Sequence, residues 1–98
     1  MIAHLVLFRL RPGVAGDDPR LRAVAAAMDR LPGLIPQIRS WEHGPNRTPD
    51  AQAWDWALRA LFDDEAALHA YFEHPAHLPV LAQWETLADL AFCDIELP

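Results

Sequence analysis

The segment from Ile2 to Arg11 constrains the fold more than any other stretch of this chain. Its even positions carry Ile2, His4, Val6, Phe8 and Leu10, and its odd positions carry Ala3, Leu5, Leu7 and then Arg9. A strand shows its side chains alternately to two faces, so a stretch apolar at both sets of positions reads as a strand covered on both sides. Pro12-Gly13 ends it. A chain of 98 residues has room for one domain, spanning 1–98. A domain this small buries only about 60–65% of its unfolded surface, so a partner that buries more would help it.

The rest of the chain supplies the cover for one face. Asp18 and Pro19 form a helix start, and Leu21, Val24, Met28 and Leu31 follow at steps of three and four, giving one apolar stripe. Pro32-Gly33 is expected to stop that helix. A second strand is expected over Gln37 to Gly44, a polar loop over Pro45 to Ala53, and a third strand over Trp54 to Phe62. Asp63 is the expected cap of a second helix, running to about Glu73. His74-Pro75 breaks it, because proline disfavours helix at the residue before it. A third helix is expected from near Leu78 to about Asp89, with His77, Leu81, Trp84 and Ala88 on one face, and a last strand over Ala91 to Leu97.

The order strand, helix, strand, strand, broken helix, strand is the split βαβ pattern of a ferredoxin-like α+β domain: a four-stranded antiparallel sheet with helices on one face. The odd-face residues Leu5, Leu7, Ala57 and Leu61 then have no cover. An apolar sheet face of this kind marks an association site, and a second copy packed face to face is the simplest cover. The expectation is a homodimer whose two sheets close into a barrel, with Arg9 and Arg59 at the rim near Asp94 or Glu96.

Composition narrows the partners. The net charge is −6, every basic residue is arginine, and no basic cluster exists. A phosphate backbone or an anionic membrane surface needs such a cluster, so neither nucleic acid nor membrane is expected as a partner. No stretch approaches the ~20 apolar residues that span a bilayer. The single cysteine, Cys93, cannot staple its own chain and reads as a small buried hydrophobe. With no basic segment at the start, a cytoplasmic location is expected.

Several segments together carry a family resemblance. They are His4-Leu5-Val6-Leu7-Phe8-Arg9-Leu10-Arg11-Pro12-Gly13, Pro32-Gly33-Leu34-Ile35-Pro36, Phe62-Asp63-Asp64-Glu65-Ala66-Ala67-Leu68, Tyr71-Phe72-Glu73-His74-Pro75-Ala76-His77 and Cys93-Asp94-Ile95-Glu96. In these the chain resembles the Dabb family, the stress-responsive dimeric α/β-barrel domains, over essentially its whole length. The resemblance implies the dimeric barrel. Within the family, the polyketide cyclases of the olivetolic acid cyclase type close a ring by aldol condensation without metal or organic cofactor. Their acid-base pair sits in the Tyr-x-x-His-Pro-x-His frame, which implies Tyr71 and His77 as catalytic residues here, and their first-strand histidine matches His4. A cyclase pocket histidine falls on Trp56 and a pocket tyrosine on Met28, so this pocket is expected to be greasier.

An intramolecular aldol needs a base beside a carbonyl and a donor for the developing enolate oxygen. An imidazole suits the first role near neutral pH and a phenol the second. Tyr71 and His77 flank the helix break, so both can face one cavity, with His4, Phe8, Met28, Trp56 and His74 as further substrate-binding residues. Without the family, His74 to His77 reads as a helix break with a histidine on the backbone, and Tyr71 as core. The spacing of His74 and His77 also resembles a metal pair, with His69 and Glu73 nearby and His43 a further ligand only if the fold brings it close, but it lacks a full ligand set. Three functions stay open: a cofactor-free acid-base enzyme on a polyketide-like compound, a stress-response protein that holds a small hydrophobic ligand without chemistry, and, by fold analogy, a barrel-type monooxygenase.

Overall fold

The computed structural model describes all residues, 1–98. The elements are β1 (Ile2–Leu10), α1 (Pro19–Leu34), β2 (Ser40–Pro45), β3 (Trp56–Phe62), α2 (Glu65–Glu73), α3 (His77–Leu87) and β4 (Ala88–Glu96). The strands form one sheet in the order β2-β3-β1-β4, with antiparallel neighbours. This is the ferredoxin-like α+β fold. No helix is long and apolar enough to cross a membrane.

The two central strands carry the pattern that fixes this arrangement. On β1, Ile2, His4, Val6 and Phe8 are buried toward the helices. Register places Ala60 and Asp94 on either side of His4, Leu58 and Phe92 beside Val6, and Trp56 and Leu90 beside Phe8. Leu21, Val24, Ala27, Met28 and Leu31 form the buried stripe of α1; Val80, Trp84 and Leu87 form that of α3. The far side of the sheet has no helix over it. Leu7 is 47% exposed and Ile95 43%, Ala57, Ala91 and Cys93 are exposed, and Leu5 and Leu61 are half-buried.

Several boundaries differ from the sequence expectation. α1 continues past Pro32 to Leu34, because the buried Leu31 and Ile35 hold its last turn to the core and Ile35 N–H donates to the Leu31 carbonyl. Asp64, not Asp63, caps α2, accepting from Ala67 N–H at 2.8 Å, while Asp63 pairs with Arg39. β2 begins at Ser40, since Ile38 N–H turns back to the Ile35 carbonyl. β3 begins at Trp56, since the Asp55 carboxylate takes the Leu10 N–H at 2.8 Å. α3 ends at Leu87 and β4 starts at once, because Arg11 N–H captures the Leu87 carbonyl at 2.8 Å.

The expected rim pairs are also corrected. Arg59 pairs with Glu42 at 3.0 Å, and the Arg9 guanidinium lies over the Trp54 ring at 4.8 Å. Asp94 is on the helix side, bonded to His4. Cys93, expected buried, is exposed beside Leu5 because the odd residues of β4 share the uncovered face.

Candidate functional site

A cavity of about 280 Å³ lies between the sheet and the helices. β1 supplies His4, Val6 and Phe8; α1 supplies Met28 and Leu31; α2 supplies Tyr71 and Phe72; α3 supplies His77, Leu81 and Trp84; β4 supplies Leu90 and Phe92. The helix break explains how Tyr71 and His77 meet. His74 ends α2 in an extended conformation, its Nδ1 accepting from Ala76 N–H at 3.0 Å, so the chain turns back before α3 begins at His77. The two rings then lie 4.3 Å apart, and the His4 ring is 5.8 Å from Tyr71.

Each histidine in the cavity has one nitrogen fixed. His77 Nδ1 lies 3.1 Å from the Phe72 carbonyl. A carbonyl only accepts, so Nδ1 carries the hydrogen and Nε2 of the neutral ring is left with its lone pair. Burial holds His77 below the ordinary histidine value of 6.5; the Phe72 bond works the other way, and His4 and His74 add to the lowering. His4 Nδ1 lies 2.6 Å from an Asp94 carboxylate oxygen, so that nitrogen donates to Asp94 and His4 Nε2 is the free one. Burial pushes the Tyr71 phenol above its ordinary value of 10.0, which keeps its hydroxyl protonated as a donor.

The Tyr71 hydroxyl, His77 Nε2 and His4 Nε2 have no partner within the chain and are not among the sealed polar atoms, which are Trp41 Nε1 and Gln37 Oε1. Three polar atoms are thus open at an otherwise greasy wall. The floor is closely packed: Phe8 and Trp84 lie 4.1 Å apart between ring centres, and the Trp84 N–H points at the Met28 sulfur at 2.9 Å.

The expected site residues His77, Tyr71, His4, Phe8 and Met28 therefore lie around one cavity. Two expected substrate-binding residues do not. His74 serves the helix break. Trp56 stands behind the wall: its N–H donates to His43 Nδ1 at 3.1 Å, and His43 Nε2–H donates in turn to Asp29 at 2.6 Å. These bonds also place His43 away from His74 and His77, whose Nδ1 atoms are committed to the backbone. Asp94 was missed as a site residue. The signal for it was the antiparallel register of the first and last strands, which sets it opposite His4.

Fold and site together define a class: a ferredoxin-like domain with an apolar cavity under its helices and a histidine-tyrosine-histidine cluster at one wall. The model of the Stress responsive A/B Barrel Domain, Dabb, matches residues 2–96, and the chain belongs to that family. An uncharacterized protein of Streptomyces coelicolor is 42% identical over 96 residues, covering 98% of this chain and 99% of the other. A dimeric ferredoxin-like protein of unknown function from Thermobifida fusca matches with a TM-score of 0.86 at 30% identity, over 98% of this chain and 90% of that one. A dimeric protein from Bacteroides fragilis, also of unknown function, matches at 0.84 and 30% identity, over 98% and 95%. A hydroxynitrile lyase from Passiflora edulis reaches 0.84 at 16% identity, over 99% and 93%, and so shares the fold alone.

Proposed function

We propose that this protein is a cofactor-free acid-base enzyme of the polyketide-cyclase kind, acting on a small enolisable carbonyl compound. In this reading His77 Nε2 removes the proton beside the carbonyl and the Tyr71 hydroxyl donates to the oxygen as enolate charge develops. The enolate carbon then attacks a second carbonyl of the same molecule, whose C=O π bond opens to an alkoxide that takes back the proton from the His77 imidazolium, so the ring closes and the base is restored. His4, oriented by Asp94, is the second imidazole at the reacting oxygen. The observation that carries the reading is the Phe72 carbonyl on His77 Nδ1, which leaves a neutral, partly desolvated Nε2 beside a protonated phenol. The test is deuterium exchange into enolisable ketones, followed by proton NMR. His77→Gln should slow exchange at least about a hundredfold, the usual scale for a positioned general base. Exchange unchanged in His77→Gln would end the enzymatic reading.

A second reading has its own support. By the resemblance Met28 falls on a pocket tyrosine of the cyclases, and as a lining residue it makes the wall less polar. The same cavity then holds a hydrophobic ligand without turnover, and ligand binding without exchange activity would mark it.

The proposed assembly is a homodimer through the uncovered sheet face, where Leu5, Leu7, Ala57, Leu61 and Ala91 present an apolar surface. The dimeric proteins of Thermobifida fusca and Bacteroides fragilis support it.

A further inference from the structure

The charges nearest the cavity bear on what it takes. No arginine and no carboxylate is among its lining residues. Five of the eight arginines are engaged elsewhere: Arg9 on Trp54, Arg11 with Asp89, Arg20 with Asp18, Arg39 with Asp63 and Arg59 with Glu42. Arg22, Arg30 and Arg47 are exposed and line none of the cavity. Asp94 stands behind His4 and is already bonded to it. An anionic ligand would therefore enter a space with no counter-cation and with a carboxylate one ring away. A cationic ligand would find Asp94 spent on His4. Neither ion would meet an opposite full charge to offset its lost hydration, and a hydrogen bond from the Tyr71 hydroxyl or to a histidine Nε2 replaces only part of it.

Size and shape narrow the class further. About 280 Å³ filled at the density of protein interiors holds on the order of a dozen non-hydrogen atoms. Around most of that volume the wall is aliphatic and aromatic, from Val6, Leu31, Leu58, Val80 and Leu90 to Trp84. The residues that carry open polar atoms are neighbours, with the Tyr71 ring 4.3 Å from that of His77 and 5.8 Å from that of His4. The polar side is thus matched to the carbonyl oxygens of the ligand and the remainder of the cavity to its hydrocarbon.

We infer that the cavity selects uncharged carbonyl compounds of about one ring's size and rejects carboxylates and amines of the same shape. The inference rests on the acid-base reading above and names its substrate class. It sets this chain apart from sites that grip a substrate through a carboxylate or a phosphate.

Three probes of one shape test it: benzylacetone, hydrocinnamate and phenylpropylamine, the ketone, the carboxylate and the ammonium ion on the same phenylalkyl frame. Affinity is read at pH 8 by titration against the intact protein, with the NMR signals of the His77 and Tyr71 rings reporting where each probe sits. Benzylacetone should bind at least about tenfold more tightly than either ion, a difference of about 1.4 kcal/mol. A preference below tenfold, or a tighter ion, overturns the selectivity and leaves the acid-base reading standing. If no probe moves the His77 and Tyr71 signals up to about 10 mM, a ceiling weaker than a millimolar site, the cavity reading falls and the selectivity with it.

Discussion

The two faces of the sheet are built from the same strands and meet opposite fates. Toward the helices, His4, Val6 and Phe8 are buried and border a cavity whose polar groups are few and fixed. Away from them, Leu5 and Leu7 of the same strand look out with no element of this chain above them. One face is finished within the protomer and the other is not. The difference shows that a short strand apolar on both sides can serve two ends: its even residues line the cavity, and its odd residues lie on the face proposed as the dimer contact.

Substitutions on the two faces should therefore separate cleanly. The largest effect is expected at Leu5→Glu. It places a carboxylate on the proposed dimer face twice by symmetry, at a cost of several kcal/mol for each copy. The dimer dissociation constant should rise by at least about a thousandfold. Sedimentation reads this, and an unchanged dimer would move the contact to another surface. The cavity face should respond differently, because none of its proposed acid-base residues lies on the odd face. Asp94→Asn should keep the fold and slow deuterium exchange by about tenfold, since His4 loses the anion that orients it. Unaltered exchange would reduce His4 to a wall residue.

The smallest effect is a pH limb. His77 is held below its ordinary value of 6.5 by burial. Its base form therefore persists in the folded chain below pH 6.5, and kcat/KM should begin to fall only under that pH. The stability consequence has the same sign. An unfolded chain takes up the His77 proton first as pH drops, so stability falls as pH descends from about 6.5 toward the folded value. Denaturant titrations across that window check it, and His77→Gln should remove this part of the slope.

How far the sequence alone reached follows from the range of the interactions involved. Element order and the helix cover of the even face of β1 were legible, because both rest on local periodicity. So was the cap at Asp18, which accepts from Arg20 N–H two residues on. The end of α1 was not, because Leu31 and Ile35 hold the turn by packing on distant strands. The placement of Trp56 was not legible either: its partner His43 lies on the neighbouring strand, and Asp29, the next link, lies on a helix. Asp94 looked like a rim acid because charged residues on strands usually face water. Only the register that pairs the two ends of the chain turns it toward His4.

The junction between α3 and β4 has no residue to spare: Leu87 closes the helix, Ala88 opens the strand, and each is about 1% exposed. For anyone cutting and splicing this chain, that seam behaves like a keyed coupling. One residue inserted or deleted there would slip β4 by a step and present every side chain to the opposite side. Cys93 or Ile95 would arrive where Asp94 now meets His4, and His4 would lose its acid partner without any point mutation at Asp94. The polar stretch between Pro45 and Trp56, exposed for most of its length, has slack of the other kind and is the place to lengthen.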